Sequence, residues 1–138
     1  MTSLTPETVR AEIARFWNAF TSKFPEVLQE FYAHESTCFG SASNRPEPGR
    51  LAATRRKREY FNPQSTLRAQ IGEVEVLMLG DRAAVASYTF QFHATKVISA
   101  AGKANEEHIH SGRATQVFGL DQDGVPRIVH EHFSLPQH

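Results

Sequence analysis

The sequence predicts an α+β domain in which N-terminal helices pack on one side of a strongly curved antiparallel β-sheet. Apolar residues recur at helical spacing up to Phe61, whereas from Leu67 onward they alternate or run together as they do in strands. The length of 138 residues suits one domain, and a hydrophobic content of 40% is enough to build a core. We therefore expect a single domain spanning residues 1–138.

The first two helices each have a start signal. Thr5, Pro6 and Glu7 combine a hydroxyl N-cap, a proline at the first helical position and an acid in the first turn. The apolar spacing that follows predicts a helix from Pro6 to Ser22. Pro25 can open a second, shorter helix, whose predicted apolar face consists of Val27, Leu28, Phe31 and Tyr32.

A loop separates the second helix from a third. Residues from Thr37 to Ser41 are predicted to be extended, and two prolines make the segment from Asn44 to Gly49 rich in turns. Helix-forming residues then continue from Leu51 to Phe61, and Asn62-Pro63 is expected to end the helix.

The remainder of the chain predicts four extended segments in an antiparallel meander. They are Leu67–Leu79, Ala83–Val97, Asn105–Leu120 and Val125–Ser134, joined by turns at Gly80-Asp81, Ser99–Gly102 and Asp121–Gly124.

Tight turns predict the pairing of the last three segments and therefore the residues on each sheet face. The predicted partners are Leu120 with Val125, Gln116 with Val129, Ala114 with Glu131, His93 with His108, and Gln91 with His110. One face then carries Thr89, Gln91, His93, His108, His110, Gln116, Phe118, Val129, Glu131 and Phe133. The other face carries Tyr88, Phe90, Phe92, Ile109, Arg113, Thr115, Val117, Ile128, His130 and His132.

Charge and composition exclude several classes of partner. Lys plus Arg equals 15 and Asp plus Glu equals 15, so no net charge attracts nucleic acid or an acidic membrane. The basic run Arg55–Arg58 is predicted to be a solvated helix face from which one arginine could reach a pocket. Cys38 is the only cysteine, and neither a leader-like N-terminus nor a long apolar run is present. These observations favour a soluble, cytoplasmic protein.

The order of these segments resembles a known superfamily. The run Gly112–Phe118, the turn Asp121–Gly124 and the run Arg127–Ser134 are similar to the last hairpin of nuclear-transport-factor-two-like proteins. Within that superfamily, the resemblance is to SnoaL-like domains related to the association domain of calmodulin-dependent protein kinase, and it extends from about Glu7 to Pro136. It implies a cone-shaped fold with a pocket at its open end and homodimers or larger homo-oligomers formed through the outer sheet face. The same cone serves isomerases, cyclases, dehydratases and oligomerisation hubs, so the activity stays open.

The resemblance also selects the face that would line the pocket. It implies pocket-lining positions at Thr89, Gln116 and Phe133, where the related kinase domain carries arginines and this chain does not. We therefore predict a pocket for a small, mostly apolar ligand rather than a deep cationic one. Its predicted lining is Trp17, Tyr32, Thr89, Gln91, Gln116, Phe118, Val129 and Phe133.

Two kinds of chemistry compete with simple binding. Glu131 in a partly apolar cone is a candidate acid/base, with His110 or His93 polarising a carbonyl, as in an isomerase, cyclase or lyase. The alternative is that Glu131 only pairs with Arg113 or a histidine. His93, His108 and His110 have ligand types that suit zinc or iron, but we expect no metal and no cofactor. The leading hypothesis is therefore a homo-oligomeric binding or assembly domain.

Overall fold

The computed structural model describes residues 3–40, 43–61, 65–97 and 105–134. Within these ranges the chain forms three helices and seven strands. In chain order they are α1 (Pro6–Thr21), α2 (Pro25–Glu30), β1 (Tyr32–Phe39), β2 (Glu47–Pro48), α3 (Gly49–Arg58), β3 (Ser65–Ile71), β4 (Glu75–Leu79), β5 (Ala83–Val97), β6 (Asn105–Leu120) and β7 (Pro126–Ser134). None of the described helices is both long and apolar enough to span a membrane.

The start and the apolar face that the sequence predicts for the first helix are both confirmed in α1. The Thr5 side chain accepts a hydrogen bond from the Thr8 backbone N–H, and the Thr8 side chain accepts one in return from the Thr5 N–H. The predicted apolar face is buried, and it consists of Val9, Ile13, Phe16, Trp17 and Phe20. This helix supplies one wall of the hydrophobic core.

The described strands form one sheet in the order β2-β1-β7-β6-β5-β3, with β4 also paired to β5. The sheet is large, curved and unclosed, and the helices accompany it, so the predicted α+β class is confirmed. β1 runs parallel to β7, whereas the other pairs are antiparallel. The sequence does not predict this parallel pair, because Tyr32 falls in the predicted second helix and only the short segment from Thr37 to Ser41 is predicted to be extended after it.

Several boundaries differ from the predictions. α3 runs from Gly49 to Arg58, so it begins two residues before the predicted Leu51 and ends three residues before the predicted Phe61. The predicted segment Leu67–Leu79 is two strands, β3 and β4, which are separated at residues 72–74. A Cβ at Gly72 would lie 2.5 Å from Oγ1 of Thr89, so the backbone passes too close to β5 there for a side chain. The predicted turn at Ser99–Gly102 and the residues Asn62-Pro63 lie outside the described residues, and α3 has already ended at Arg58.

The predicted pairing of β5 with β6 is wrong by one residue. His93 lies opposite Ile109, and Gln91 lies opposite Ser111. Because side chains alternate between faces, this shift moves every β5 side chain to the other face relative to β6. Thr89, Gln91 and His93 therefore lie on the outer face, and this corrects their assignment to the pocket side.

The predicted pairing of β6 with β7 is wrong for a related reason. Leu120 pairs with Pro126 instead of Val125, and a register shift follows between Phe118 and Val117 on the β6 side. Val129 has no pairing partner at this bulge and is exposed, so its predicted place in the pocket is also corrected. Beyond the bulge, Gln116 lies opposite Glu131.

Candidate functional site

A cavity of about 540 Å³ opens between the helices and the concave face of the sheet. Eight aromatic rings line it, and they belong to Phe16, Trp17, Phe20, Phe39, Tyr60, Phe90, Phe92 and Phe133. Trp17 connects several of these rings, since its centroid lies 5.1 Å from that of Phe90 and 6.1 Å from that of Phe133. The cavity therefore offers an apolar molecule a cluster of aromatic surfaces.

Glu131 is the buried polar centre of this cavity, and its side chain is only 2% exposed. The hydroxyl of Tyr32 donates to both carboxyl oxygens, at 2.8 and 2.9 Å. Gln116 Nε2 donates to Oε1 at 2.7 Å, and Lys57 Nζ donates to Oε2 at 2.8 Å. Since every one of these partners is a donor, Glu131 is held as an acceptor-only carboxylate.

Further hydrogen bonds orient this carboxylate from behind. Trp17 Nε1 donates to the hydroxyl of Tyr88 at 2.9 Å, and that hydroxyl donates to Gln116 Oε1 at 2.6 Å. Gln116 in turn donates its amide N–H to Glu131. The chain of donors runs in one direction from α1 through β5 and β6 to β7, so four elements set the orientation of one carboxylate.

The two tyrosines of this network are permanent donors. Burial raises the pKa of Tyr32 well above its ordinary value, and the negative charge of Glu131 raises it further. Burial also raises the pKa of Tyr88. Both phenols consequently stay protonated across the physiological pH range.

Lys57 is the functional residue that the sequence analysis missed. Its side chain is 13% exposed, it lines the cavity from α3, and its Nζ lies 4.5 Å from the centre of the Phe133 ring. Nζ also donates to the backbone oxygen of Ala53 at 2.8 Å. Ala53 and Lys57 are four residues apart and share one helix face, a spacing that could have shown that Lys57 faces inward. Arg55 and Arg56 of the basic run line the cavity as well.

His110 lies on another part of the cavity wall. Its ring stacks on Phe92 with 4.7 Å between centroids, and Nε2 lies 3.4 Å from the hydroxyl of Tyr60. Burial lowers the pKa of His110, and the nearby His108 lowers it further. Six residues of β6 separate His110 from Gln116, the partner of Glu131, which is about 20 Å of strand.

The structure separates the other histidines from this site. His93 lies on the outer face, where Nδ1 is 3.1 Å from a carboxyl oxygen of Glu107 and Nε2 is 3.3 Å from the side-chain oxygen of Gln91. His108 is exposed. Among the described residues, no group of three or more His, Cys, Asp or Glu side chains could hold a metal ion. The structure therefore brings Glu131 and His110 to one cavity and leaves His93 outside it.

The predicted pocket residues fall into four groups. Trp17 and Phe133 line the cavity, whereas Tyr32 and Gln116 lie directly behind it in the network of Glu131. Phe118 is a fully buried core residue that is not part of the lining. The outer-face or bulge residues are Thr89, Gln91 and Val129. The aromatic lining residues that were not predicted are Phe16, Phe20, Phe39, Tyr60, Phe90 and Phe92.

The mouth of the cavity is charged. Arg45, Arg55, Arg56, Glu47 and Glu59 are among its lining residues. Arg55 and Glu47 form an ion pair with 3.2 Å between Nη1 and Oε2. The cavity thus has charged groups at its rim, aromatic walls and one ion pair, Lys57 with Glu131, in its interior.

Comparisons with known proteins agree with the fold. The family model of the SnoaL-like domain matches residues 9–138. No match was found among curated proteins.

Solved structures with the same fold come from several functional classes. The beta subunit of benzoate 1,2-dioxygenase from Burkholderia mallei has a TM-score of 0.77 at 13% identity, over 99% of this chain and 93% of that one. An NTF2-like superfamily protein from Salmonella enterica has a TM-score of 0.72 at 19% identity, over 96% and 91%. The CaMKII hub homology domain of Chlamydomonas reinhardtii has a TM-score of 0.68 at 22% identity, over 94% and 96%. At these identities the similarity establishes the fold alone.

Proposed function

Because the chain belongs to the SnoaL-like domain family, we propose that it is a homo-oligomeric binding domain whose conical pocket holds a small, mostly apolar ligand. The observation that carries this proposal is the aromatic cavity of about 540 Å³. That volume lies within the range of small-molecule sites, and such sites combine apolar walls with a few fixed polar groups. Here the fixed polar groups are Lys57 and Glu131.

The ligand is expected to be flat and to have one polar end. The rings of Trp17, Phe90 and Phe133 offer apolar surfaces. Lys57 offers a hydrogen-bond donor, and the Glu131 carboxylate offers an acceptor. A ligand that placed a negative charge against the aromatic walls would lose its hydration without gaining a partner. A bicyclic aromatic alcohol or ketone matches this distribution of groups.

Trp17 provides the test, because it is the only tryptophan of the chain and it lines the cavity. We expect 1-naphthol to change the Trp17 emission saturably, with a matching heat of binding by calorimetry and a Kd of about 10–100 µM for a fragment of this size. Ala52→Phe adds a ring to the cavity lining and should weaken binding about tenfold.

The matched control is Glu73→Phe, which adds the same ring at an exposed loop position outside the cavity. This variant should bind 1-naphthol as the unmodified chain does. The absence of a binding heat in the unmodified protein, or equal losses in the two variants, would contradict the pocket proposal.

The homo-oligomeric part of the proposal rests on the outer sheet face. Leu77, Val85 and Val117 lie side by side in neighbouring strands, and the Leu77 side chain is exposed. The fold is shared with a CaMKII hub homology domain and a CaMKII association domain, and those names support an assembly role for this fold here. Light scattering should give at least about twice the chain mass of 15.5 kDa. A monomer at micromolar concentration would contradict this part alone.

A second candidate function is acid–base catalysis by Glu131, with Lys57 as its proton partner. The observation that favours it is the ion pair at the cavity wall, since a buried ion pair is often no more stabilising than apolar residues of the same volume. The probe is 2-tetralone in deuterium oxide, with α-proton exchange followed by NMR. Catalysis would be supported by proton exchange that is faster than in buffer alone. That exchange should be lost in Glu131→Gln while calorimetry still shows binding. Binding without exchange in the unmodified protein would contradict it.

A further inference from the structure

We propose that Lys57 forms a reversible imine with small apolar aldehydes or ketones that enter the cavity. The inference rests on the proposed binding function, because the carbonyl compound must first occupy the aromatic cavity. It adds the chemical class of the ligand and a covalent attachment atom, the Nζ of Lys57.

The position of Lys57 supports this assignment. Its Nζ lies in the cavity lining, 4.5 Å from the centre of the Phe133 ring, and its side chain retains only a small exposed area. A carbonyl compound in the cavity therefore meets this amine at the wall that Phe133 forms. Hydrogen bonds to Glu131 and to the backbone oxygen of Ala53 restrict the amine to one place, so part of the entropy cost of attack is already met by the fold.

Glu131 supplies the base that imine formation requires. An ammonium group becomes a nucleophile only after it loses a proton, and Oε2 of Glu131 lies 2.8 Å from Nζ, within the reach of a general base. The carboxylate takes one proton from the nitrogen, the nitrogen lone pair forms the C–N bond, and the proton passes to the carbonyl oxygen. A second transfer from nitrogen to oxygen releases that oxygen as water.

The atoms and charges of this step balance without a further reagent. One ammonium and one carbonyl give one protonated imine and one water, and Glu131 ends as the carboxylate it was at the start. The iminium nitrogen keeps a positive charge and one N–H. Glu131 therefore remains its counter-ion, and the ring of Phe133 still faces a cation, so the site that accommodates the ammonium also accommodates the product.

Reductive trapping tests this inference directly. The protein is incubated with 2-naphthaldehyde and sodium cyanoborohydride, and peptide mass mapping then locates the naphthylmethyl group. We expect one group per chain, attached to Lys57 at a rate about tenfold or more above that of the other lysines. An excess of 2-naphthylmethanol, which has the same ring system without the carbonyl, should protect Lys57.

Two matched variants separate chemistry from charge. Lys57→Arg keeps the positive charge beside Glu131 but cannot form an imine, so the selective label should disappear. Lys23→Arg replaces a lysine whose Nζ donates to the backbone oxygen of Ser65, and labelling of Lys57 should persist. Glu131→Gln should slow labelling about 100-fold, the usual contribution of a general base.

The outcomes distinguish this inference from the function on which it rests. Binding of 2-naphthylmethanol together with selective labelling of Lys57 supports both. Binding of the alcohol with Lys57 labelled no faster than Lys23 overturns the imine and leaves the pocket proposal standing. Failure of the alcohol to bind, together with unselective labelling, overturns both.

Discussion

At the residue scale, the site depends on how Glu131 is neutralised. Its carboxylate accepts hydrogen bonds from Tyr32, Gln116 and Lys57, and only the last of these carries a positive charge. A buried carboxylate without a cation is strongly unfavourable, whereas one with a cation and further donors is tolerated. Lys57 therefore serves the stability of the fold as well as the chemistry proposed for the cavity.

Replacing Lys57 by methionine should reveal this contribution to stability. Lys57→Met keeps most of the side-chain volume but leaves the Glu131 charge uncompensated, so we expect a loss of about 3 kcal/mol in the free energy of unfolding. Urea denaturation followed by circular dichroism measures it. The control is Arg68→Met, which breaks the ion pair with Glu107; the Arg68 side chain is 68% exposed, and the expected loss is within about 0.5 kcal/mol. Equal losses in the two variants would show that Glu131 does not depend on its cation.

His110 makes stability depend on pH. Burial, followed by the charge of His108, lowers its pKa from the ordinary value of 6.5, so the unfolded chain binds a proton first as the pH falls. The stability associated with neutral His110 is complete above pH 6.5 and is lost as the pH falls below it, by at most about 1.4 kcal/mol per pH unit. Urea denaturation from about pH 7.5 to about pH 5.5 should therefore show a shallower dependence in His110→Phe.

The control for this pH dependence is His34→Asn on β1, where the ring is exposed. This variant should retain the slope of the unmodified protein. A slope in His110→Phe as steep as that of the unmodified protein would assign the pH dependence to other groups.

At the element scale, the bulge in β7 decides which side chain meets the cavity. Without the extra residue at Val129, the alternation of side chains would place Glu131 and Phe133 on the outer face. With it, Glu131 lies opposite Gln116 and joins the chain of donors from Trp17. The site is thus produced by a local irregularity in a strand that is otherwise regular.

The close approach of β6 to its neighbours allows a test at the same scale. A Cβ at Gly112 would lie 2.6 Å from Cζ of Phe90 and 2.7 Å from the backbone oxygen of Ser134. Because a backbone atom cannot move aside cheaply, Gly112→Ala should lower the free energy of unfolding by about 1–3 kcal/mol. At Gly119 on the same strand, the nearest atom would be Cγ1 of Val129 at 3.5 Å, an ordinary contact. Gly119→Ala should therefore change the free energy of unfolding much less. Urea denaturation of the two variants measures both changes.

At the scale of the whole molecule, the two faces of the sheet have different uses. The concave face buries aromatic residues against α1 and encloses the cavity. On the outer face, Leu77 and Ile109 are exposed large apolar side chains. Exposed apolar area on a sheet is typical of interfaces between subunits, which is the basis of the proposed homo-oligomer.

A charge on the outer face should weaken this association. Leu77→Glu places a carboxylate where the Leu77 residue is 64% exposed, and burial of that charge in an interface would raise the dimer Kd about tenfold or more. Leu51→Glu is the matched control, since Leu51 is 62% exposed but lies on α3, away from the sheet. Light scattering over a dilution series measures both. Equal effects would show that the outer face is not the interface.

The sequence by itself determined the α+β class, the start and buried face of α1, and the long strands β5 and β6, because periodicity and capping are local properties of neighbouring residues. Residue type also made Glu131 and Trp17 candidates, whereas Phe133 and the choice of the face that carries Glu131 came from the resemblance. The resemblance carried by the last hairpin agrees with the match to the SnoaL-like family model.

Only the tertiary structure decided which face of β5 lines the cavity and which cation accompanies Glu131. The first depends on a one-residue difference in the register of β5 against β6. The flanking sequence permits either register, and changing from one to the other exchanges the two faces of β5. The second depends on the approach of Lys57 from α3 to Glu131, a contact between residues 74 positions apart. Local patterns contain no information on such a contact, because it arises only when the helix packs on the sheet and the bulge at Val129 turns Glu131 toward it.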